Sequence, residues 1–241
     1  MKLRRSDIAL PSVVLFGAAL LLCASESMAQ SRNGESILRE VEKRFSLVQD
    51  FTATLDVVAD IERLNVPPMH ARMYFKQPDK VHFESEGTAI LPKEGVMLSI
   101  ARLTAKFTAE LIGSEEFDGH HCYKLNLKPK DEKTAAHGMI VFVDSARLTP
   151  VRIVSSLPDG RTVTAAFEVA DVAGHWMPSM LTVTFATQAA DSSDVLPPEQ
   201  EVPGSRRQPP RKGSVTIRYS DYTINTGLSD ALFEKGAGTR K

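Results

Sequence analysis

The sequence predicts an α+β fold that is mainly β, in which one amphipathic helix covers a curved antiparallel sheet. Residues 34–48 carry apolar side chains at three- and four-residue spacing, which is the period of a helix. From Asp50 onward the apolar period changes to two, and alternating segments follow one another with gaps of hairpin length. Short gaps favour antiparallel neighbours, and the helix needs an apolar surface to cover.

Residues 1–29 have the pattern of an export signal. Three basic residues come first, the apolar run 13–22 follows, and a small-residue pattern at 27–29 precedes Gln30. The apolar run is too short to span a membrane, which needs about 20 residues. Cys23 would carry the lipid of a lipoprotein, but the residue before it is bulky where lipoprotein processing requires a small one. We therefore expect a soluble, unacylated periplasmic protein that begins near Gln30.

The charge balance of residues 30–241 argues against a nucleic-acid binder. This part of the chain holds 26 Lys and Arg against 28 Asp and Glu. Its length suits a single domain, which we expect to be a monomer. Cys122 is its one cysteine, so no intramolecular disulfide can form and stability has to come from apolar burial.

The elements follow in a simple order after the helix. A long strand is expected from Asp50 to Ile61, then a hairpin of 69–75 and 81–83 around the turn signal Gln77-Pro78-Asp79, then a short helix at 96–104. Further strands are expected at 107–111, 123–127, 139–143, 151–154, 163–169, 181–185 and 215–219. Turn signals at Asp118-Gly119, Pro158-Asp159-Gly160 and Ala173-Gly174 separate them.

Residues 188–213 differ from the rest in composition. They hold five prolines, acidic residues first and basic residues last, and almost no large apolar side chain. This pattern predicts a disordered loop between two paired strands, dispensable for folding. The alternative is a Pro-rich ligand for a partner protein, although no spaced docking motif is present.

Recognisable catalytic chemistry is missing from the sequence. No G-x-S-x-G, H-E-x-x-H, P-loop or G-x-G-x-x-G signature occurs, so we expect no enzyme and no cofactor. His120, His121 and Cys122 could suggest a metal site, but neighbouring strand residues face opposite ways and no second ligand pair exists. We predict no metal site there, with the histidines exposed beside a turn and Cys122 a small buried apolar side chain.

The apolar strand faces leave two interpretations open. The period-two pattern assigns six large side chains to the same faces of three neighbouring strands: Phe51, Leu55, Val57, Met73, Phe75 and Phe83. Methionines at 69, 73, 97, 177 and 180 add soft, adaptable side chains. These residues either fill a closed core or line an apolar concavity, because a single helix could cover only part of the sheet.

The order of the segments resembles the LolA-like family of lipoprotein-sorting proteins. An amphipathic helix is followed by "LVQDFTATLDV" and "ARMYFKQPDKVHFE", and then by "LIGSEEFDGHHCYKLNLKPK", "IVFVDSARLTPVRI", "GHWMPSMLTVTF" and "VTIRYSDYTINTGLSDALFEK". The resemblance covers residues 34 to 235. It departs from the family pattern at Gln77, where lipoprotein carriers often have Arg, and between Gly87 and Met97, where a hairpin is missing.

The resemblance implies an unclosed antiparallel β-barrel, lidded by helices, as one domain over residues 30–241. It implies a non-catalytic carrier of lipoprotein acyl chains or lipid, with a membrane exporter and an outer-membrane acceptor as partners. The implied cavity is lined by the six strand residues above together with Met97, Ile100 and Leu103 of the lid helix. The departures predict a smaller sheet and a reduced lid.

Two other functions remain as alternatives. An envelope stress sensor of similar fold would bind lipid or mislocalised lipoprotein and signal to a membrane partner. Such sensors usually add a smaller C-terminal domain, for which the residues after Phe233 leave no room. The third alternative, an exported enzyme with an unrecognised site, lacks polar residues converging at a useful spacing.

Overall fold

The structure is a computed structural model, and it describes residues 33–85, 100–131, 138–157, 161–187 and 212–234. The predicted export signal, Met97, the predicted hairpin gap before it and most of the predicted Pro-rich loop lie outside these residues. Among the described residues, no helix is long and apolar enough to cross a membrane.

Ten strands and three helices form the described part of the chain. The helices are α1 (Gly34–Phe45), α2 (Ile100–Lys106) and α3 (Ala231–Glu234). The strands are β1 (Asp50–Ile61), β2 (Met69–Lys76), β3 (Lys80–Ser85), β4 (Phe107–Phe117), β5 (His120–Pro129), β6 (Met139–Asp144), β7 (Pro150–Ser156), β8 (Arg161–Val172), β9 (His175–Thr187) and β10 (Lys212–Ile224).

The strands make one open, curved antiparallel sheet in the order β3-β2-β1-β10-β9-β8-β7-β6-β5-β4. Every neighbouring pair is antiparallel, and β3 and β4 form the two edges. Because the edge strands do not pair with each other, the barrel is unclosed. The predicted fold class is thus confirmed: a mainly β, unclosed antiparallel barrel accompanied by helices.

Helix α1 has a well-defined start. The side chain of Asn33 accepts a hydrogen bond from the Ser36 N–H at 2.8 Å, and the Ser36 hydroxyl accepts one from the Asn33 N–H at 3.1 Å. Its buried face consists of Ile37, Leu38 and Val41. Two of the N–H groups that α1 leaves unpaired at its start are therefore satisfied within the first turn.

Helix α1 ends at Phe45, three residues before the predicted end at residue 48. The side chain of Asn225 donates to the Leu47 carbonyl at 3.0 Å, and the side chain of Gln77 donates to the Val48 carbonyl at 3.2 Å. These contacts draw the backbone out of the helix toward the sheet. The helix therefore ends earlier than the spacing of its apolar residues predicted, because hydrogen bonds to distant parts of the chain fix the residues after Phe45.

The last strand begins at Lys212, so residues 212 and 213 of the predicted 188–213 loop are in fact strand. Gly213 lies opposite Phe185 on β9 and Ile61 on β1. A Cβ atom at this glycine would lie 2.7 Å from the Phe185 ring. Gly213 therefore leaves room for the Phe185 ring within the sheet, although the composition of residues 188–213 predicted a loop.

Most strands are longer than the alternation indicated. Strand β4 continues through the exposed residues Ser114 to Glu116 to end at Phe117, and its partner β5 begins right after the predicted Asp118-Gly119 turn. Both turn residues have positive φ, as a tight hairpin requires. Where both faces of a strand are exposed, no apolar period marks the pairing.

The core consists of two large clusters of buried side chains and a small third one formed by Cys122, Phe142 and Val151. One joins α1 and α2 to β4–β7, with Leu125, Leu127 and Val143 fully buried. The other joins β1, β2, β9 and β10, with Leu55 and Met73 fully buried. Helix α1 contributes its buried face to the first cluster, and Phe45 at its end packs against the second.

Helix α1 is docked on the edge strand β4 by its first turn. The Glu35 carboxylate accepts a hydrogen bond from the Ala109 N–H at 2.8 Å. Gly34 is buried, and a Cβ atom there would lie 2.5 Å from the Ala109 carbonyl oxygen. The missing side chain lets the helix reach the backbone of an edge strand, and the carboxylate occupies one of the strand's N–H groups.

Replacing Gly34 with Ala tests this close approach. In a free helix the change is favourable by about 1 kcal/mol, whereas overpacking against a backbone atom costs about 1–3 kcal/mol. Because the facing atom is backbone, we expect a net loss of unfolding free energy in urea titrations. Arg39→Ala, on the exposed face of the same helix, is the control, and a more stable Gly34→Ala variant would contradict the docking.

Replacing residues 188–210 with Gly-Asn tests whether the segment between β9 and β10 is needed for folding. Ala186 pairs with Lys212, so a two-residue turn leaves one residue opposite Thr187 and keeps the register. We expect a melting temperature within a few degrees of the parent, measured by circular dichroism. Loss of the cooperative transition would show that the replaced segment packs on the domain.

Candidate functional site

An apolar cavity of about 210 Å³ lies beneath the C-terminal end of α1. The wall combines α1 and the linker after it with two hairpin turns and the end of β10. Its lining residues are Val41, Arg44, Phe45, Leu47, Val48, Phe51, Met73, Ile100, Arg147, Leu148, Thr149, Pro150, Phe167, Val169, Gly174, His175, Trp176, Pro178, Tyr219 and Tyr222. The volume lies below the roughly 300–1,000 Å³ of typical small-molecule sites.

The linker between α1 and β1 is fixed at both sides of the cavity. Gln77 donates to the carbonyls of Phe45 and Val48, at 3.4 and 3.2 Å. The Asn225 side chain accepts from the Gln49 N–H at 2.7 Å and donates to the Leu47 carbonyl. This leaves the Leu47 side chain 61% exposed at the edge of the cavity.

Aromatic side chains form the cavity floor. The ring centroid of Phe51 lies 5.1 Å from that of Phe75 and 5.6 Å from that of Tyr222, distances typical of favourable aromatic pairs. The Tyr222 hydroxyl donates to the Pro178 carbonyl at 2.6 Å. Burial raises the pKa of both Tyr219 and Tyr222, so both rings stay neutral at physiological pH.

The β6–β7 turn is built around Asp144, which is only 3% exposed. Its Oδ1 accepts hydrogen bonds from the N–H groups of Ala146 and Arg147 at 2.8 and 2.9 Å. Its Oδ2 lies 3.0 Å from His120 Nδ1. These bonds hold Leu148 at a φ of 54°, a conformation that is unfavourable for leucine, and bury it against the cavity.

The β8–β9 turn supplies the opposite side of the entrance. Ala173 and Gly174 both have positive φ, and Asp171 Oδ1 accepts from the Gly174 N–H at 2.7 Å. The turn delivers Trp176, which is 37% exposed. The Arg147 guanidinium carbon lies 4.8 Å from the Trp176 ring centroid, so a cation–π contact joins the two turns at the cavity mouth.

The structure brings some of the predicted cavity residues to this site and leaves others in the core. Three of the nine line the cavity: Phe51, Met73 and Ile100. Four are buried away from it: Leu55, Val57, Phe75 and Leu103. Phe83 is half-buried on β3, packed against the second core cluster, and Met97 lies outside the described residues.

Sequence reasoning predicted the Ala173-Gly174 turn but assigned neither of the two turns to the site. Arg147, Thr149, His175 and Trp176 line the cavity, but none of them follows an apolar period. A usable signal was present for one of them: Trp176 is the single tryptophan of the chain and comes two residues after a turn glycine. An aromatic residue beside a hairpin turn is a candidate for a rim position.

The structure gives different environments to His120, His121 and Cys122, for which we predicted no metal site. His121 is exposed, whereas His120 is half-buried against Asp144 and not exposed as predicted. Cys122 is 1% exposed, as expected for a small apolar side chain, and desolvation together with the Asp144 and Glu115 charges raises the pKa of its thiol. In the described segments, no three metal-binding side chains converge.

Helix α2, which the sequence predicted as a lid, is held to the sheet by an exposed ion pair. Arg102 of α2 contacts the Asp79 carboxylate of the β2–β3 corner, with Nη2 to Oδ2 at 2.8 Å and Nε to Oδ2 at 3.2 Å. Both side chains are more than two-fifths exposed, and pairs of this kind contribute about 0–1 kcal/mol. The corner that carries Gln77 thus binds both the end of α1 and the lid helix.

Comparison with solved structures identifies the architecture. A candidate outer membrane lipoprotein-sorting protein domain from Vibrio parahaemolyticus is 14% identical, with a TM-score of 0.60, covering 85% of this chain and 97% of that one. A LolA superfamily protein from Nitrosomonas europaea is 13% identical, with a TM-score of 0.55 and coverages of 84% and 98%. The chain has the LolA fold. The predicted resemblance is thus confirmed for the fold.

Other comparisons add little about chemistry. A DUF1329 family protein from Desulfovibrio piger also shares the LolA fold, with 16% identity, a TM-score of 0.57 and coverages of 85% and 97%. A family model described as "Uncharacterized protein" matches residues 98–201. No curated protein matches the sequence. None of the three solved structures, from Vibrio parahaemolyticus, Nitrosomonas europaea and Desulfovibrio piger, is named as an enzyme.

Replacing Met73 with Asp tests how the cavity floor is packed. Met73 is 0% exposed, so an unpaired carboxylate there should cost several kcal/mol of unfolding free energy, a large part of a typical domain's stability. Met69→Asp, two positions along the same face of β2 beyond Ala71 and only half-buried, should cost much less. Equal losses in urea titrations would contradict the burial difference between the two sites.

Proposed function

We propose that this protein is a non-catalytic periplasmic carrier that binds an acyl chain of a lipid or lipoprotein in the cavity under α1. The observation that carries the proposal is the lining of the cavity, which is mostly apolar and aromatic on a LolA-type open barrel. An apolar lining recognises hydrocarbon through burial alone and needs no catalytic group.

The free energy gained by burying an acyl chain is of a size that suits both its capture and its release. Burying an acyl chain contributes about 0.8 kcal/mol per CH₂, so a dozen carbons supply roughly 10 kcal/mol before the cost of association. A cavity of about 210 Å³ takes only part of such a chain. Binding of a long chain therefore requires α1 or α2 to move, and the weak Arg102–Asp79 pair allows the lid helix to do so.

The chemistry of the described residues fits a carrier better than an enzyme. The raised pKa keeps the Cys122 thiol protonated, so it is a poor nucleophile. The His120–Asp144 pair serves the β6–β7 turn, and neither residue lines the cavity. In a carrier cycle the partners would be an inner-membrane exporter that loads the cavity and an outer-membrane acceptor that empties it.

A cavity-filling variant tests the proposal. Val169 lines the cavity on β8 and is half-buried, so Val169→Phe should occupy ligand space without placing a charge in the core. Val163→Phe, on the same strand and also half-buried but outside the lining, is the matched control. We expect uptake of the neutral apolar dye N-phenyl-1-naphthylamine to fall at least about tenfold for Val169→Phe, roughly the loss of 1.4 kcal/mol, and to be unchanged for Val163→Phe.

Native mass spectrometry of periplasmically expressed protein gives an independent readout. The parent should carry co-purified lipid-sized adducts that the Val169→Phe variant lacks. A parent that takes up no dye and carries no adduct would refute the carrier proposal.

A further inference from the structure

The lining of the cavity carries positive charge, which the binding of a hydrocarbon chain does not require. Two guanidinium groups line it, those of Arg44 and Arg147, together with the imidazole of His175. Among the described residues, no aspartate or glutamate belongs to the lining. Arginine keeps its charge at any physiological pH, so the mouth of the cavity is a cationic site beside an apolar interior.

The charge of Arg147 is only partly neutralised. Its Nε lies 3.8 Å from Asp144 Oδ2, too far for a hydrogen bond. Oδ2 of Asp144 is closer to His120, and Oδ1 is used by two backbone N–H groups of the turn. The guanidinium is instead held over Trp176 at the entrance, which orients it without satisfying its N–H donors.

Arg44 is likewise available for a ligand. It is exposed in the last turn of α1, and within the described segments its side chain has no ion-pair partner. The carbonyl groups of the helix end would repel an anion, but several already accept bonds: the Glu42 carbonyl from the Ser46 N–H at 2.8 Å and the Phe45 carbonyl from the Val48 N–H at 3.0 Å. Their lone pairs therefore face the linker and offset less of the arginine's charge.

A third polar group in the wall has no partner. The Thr149 hydroxyl is buried in the lining, and no hydrogen-bond partner reaches it within the described part of the chain. An unpaired buried hydroxyl of this kind destabilises the turn that carries it. Thr149 lies two residues from Arg147, on the same turn.

We propose that the ligand is an amphiphile with an anionic headgroup, a carboxylate or a phosphate, held at the cavity mouth by Arg44 and Arg147 while its chain enters the apolar interior. This rests on the proposed function, because the headgroup site has a purpose only if the chain is bound. Planar guanidinium groups suit both anions, since they pair with two oxygens at once.

The test is a displacement experiment with ligands that differ only in the headgroup. N-phenyl-1-naphthylamine bound to the full-length mature protein is displaced at pH 8 by dodecanoate, dodecyl phosphate or dodecanol, with the two anions below their micelle concentrations and dodecanol below its solubility limit. We expect at least one of the two anions to displace the dye about tenfold more effectively than dodecanol. Acetate and inorganic phosphate alone should not displace it, because they lack the chain.

Variants assign the preference to the two arginines. Arg44→Gln with Arg147→Gln should bring the anionic ligands to within about twofold of dodecanol, measured on the same variant. Arg147→Lys should retain part of the preference, and Arg39→Gln, on α1 but outside the lining, should retain all of it. If the double variant fails to fold, Arg44→Gln alone, at an exposed position, should still reduce the preference.

The outcomes separate the two proposals. Equal displacement by all three ligands, or a preference that survives the double variant, would overturn the headgroup site and leave the carrier function intact. Displacement by acetate or phosphate alone would also overturn it, since the site would then bind a free anion. A parent that binds neither dye nor ligand would overturn the carrier function and the headgroup site together.

Discussion

The pairing of β1 with β10 places the first and last strands of the chain side by side inside the sheet, from Ile61 opposite Gly213 to Phe51 opposite Ile224. All other strands are added outward from this pair, two on one side and six on the other. Partners that are so distant in sequence have to overcome a large loop-closure entropy before they meet, so the pairing is expected to form late in folding. The buried carboxylate of Asp50 stabilises one end of the β1–β10 pairing. It accepts hydrogen bonds from the N–H groups of Thr226, Gly227 and Leu228.

The position of the cavity follows from a mismatch in length between α1 and the sheet beneath it. The helix fills the concave face as far as Phe45, where side-chain hydrogen bonds from Gln77 and Asn225 pull the chain away. The strands and their turns continue past this point. Apolar side chains of the sheet beyond this point then face a space bounded by the end of α1, the linker, Ile100 of α2 and the two turns.

Alternation predicted the strands because each buries one face, and the turn signals at Asp118-Gly119 and Ala173-Gly174 both fell at hairpins. It could not tell Met73, which lines the cavity, from Leu55, which does not, since both are fully buried on the concave face. That difference depends on where α1 stops, which is set by contacts with residues from the other end of the chain. The turn residues 147–149 were missed for another reason: their placement depends on the buried carboxylate of Asp144, not on any period.

Trp176 allows the cavity mouth to be observed through its indole emission. It is the single tryptophan of the chain, and it stands at the cavity mouth under the Arg147 guanidinium. The indole emission of this protein therefore originates from one place, the entrance through which any chain would pass. A change in the polarity of that entrance, or removal of the guanidinium from the ring, would alter the emission directly. The molecule thus contains its own optical reporter, and occupancy can be followed in unlabelled protein with ligands that carry no dye.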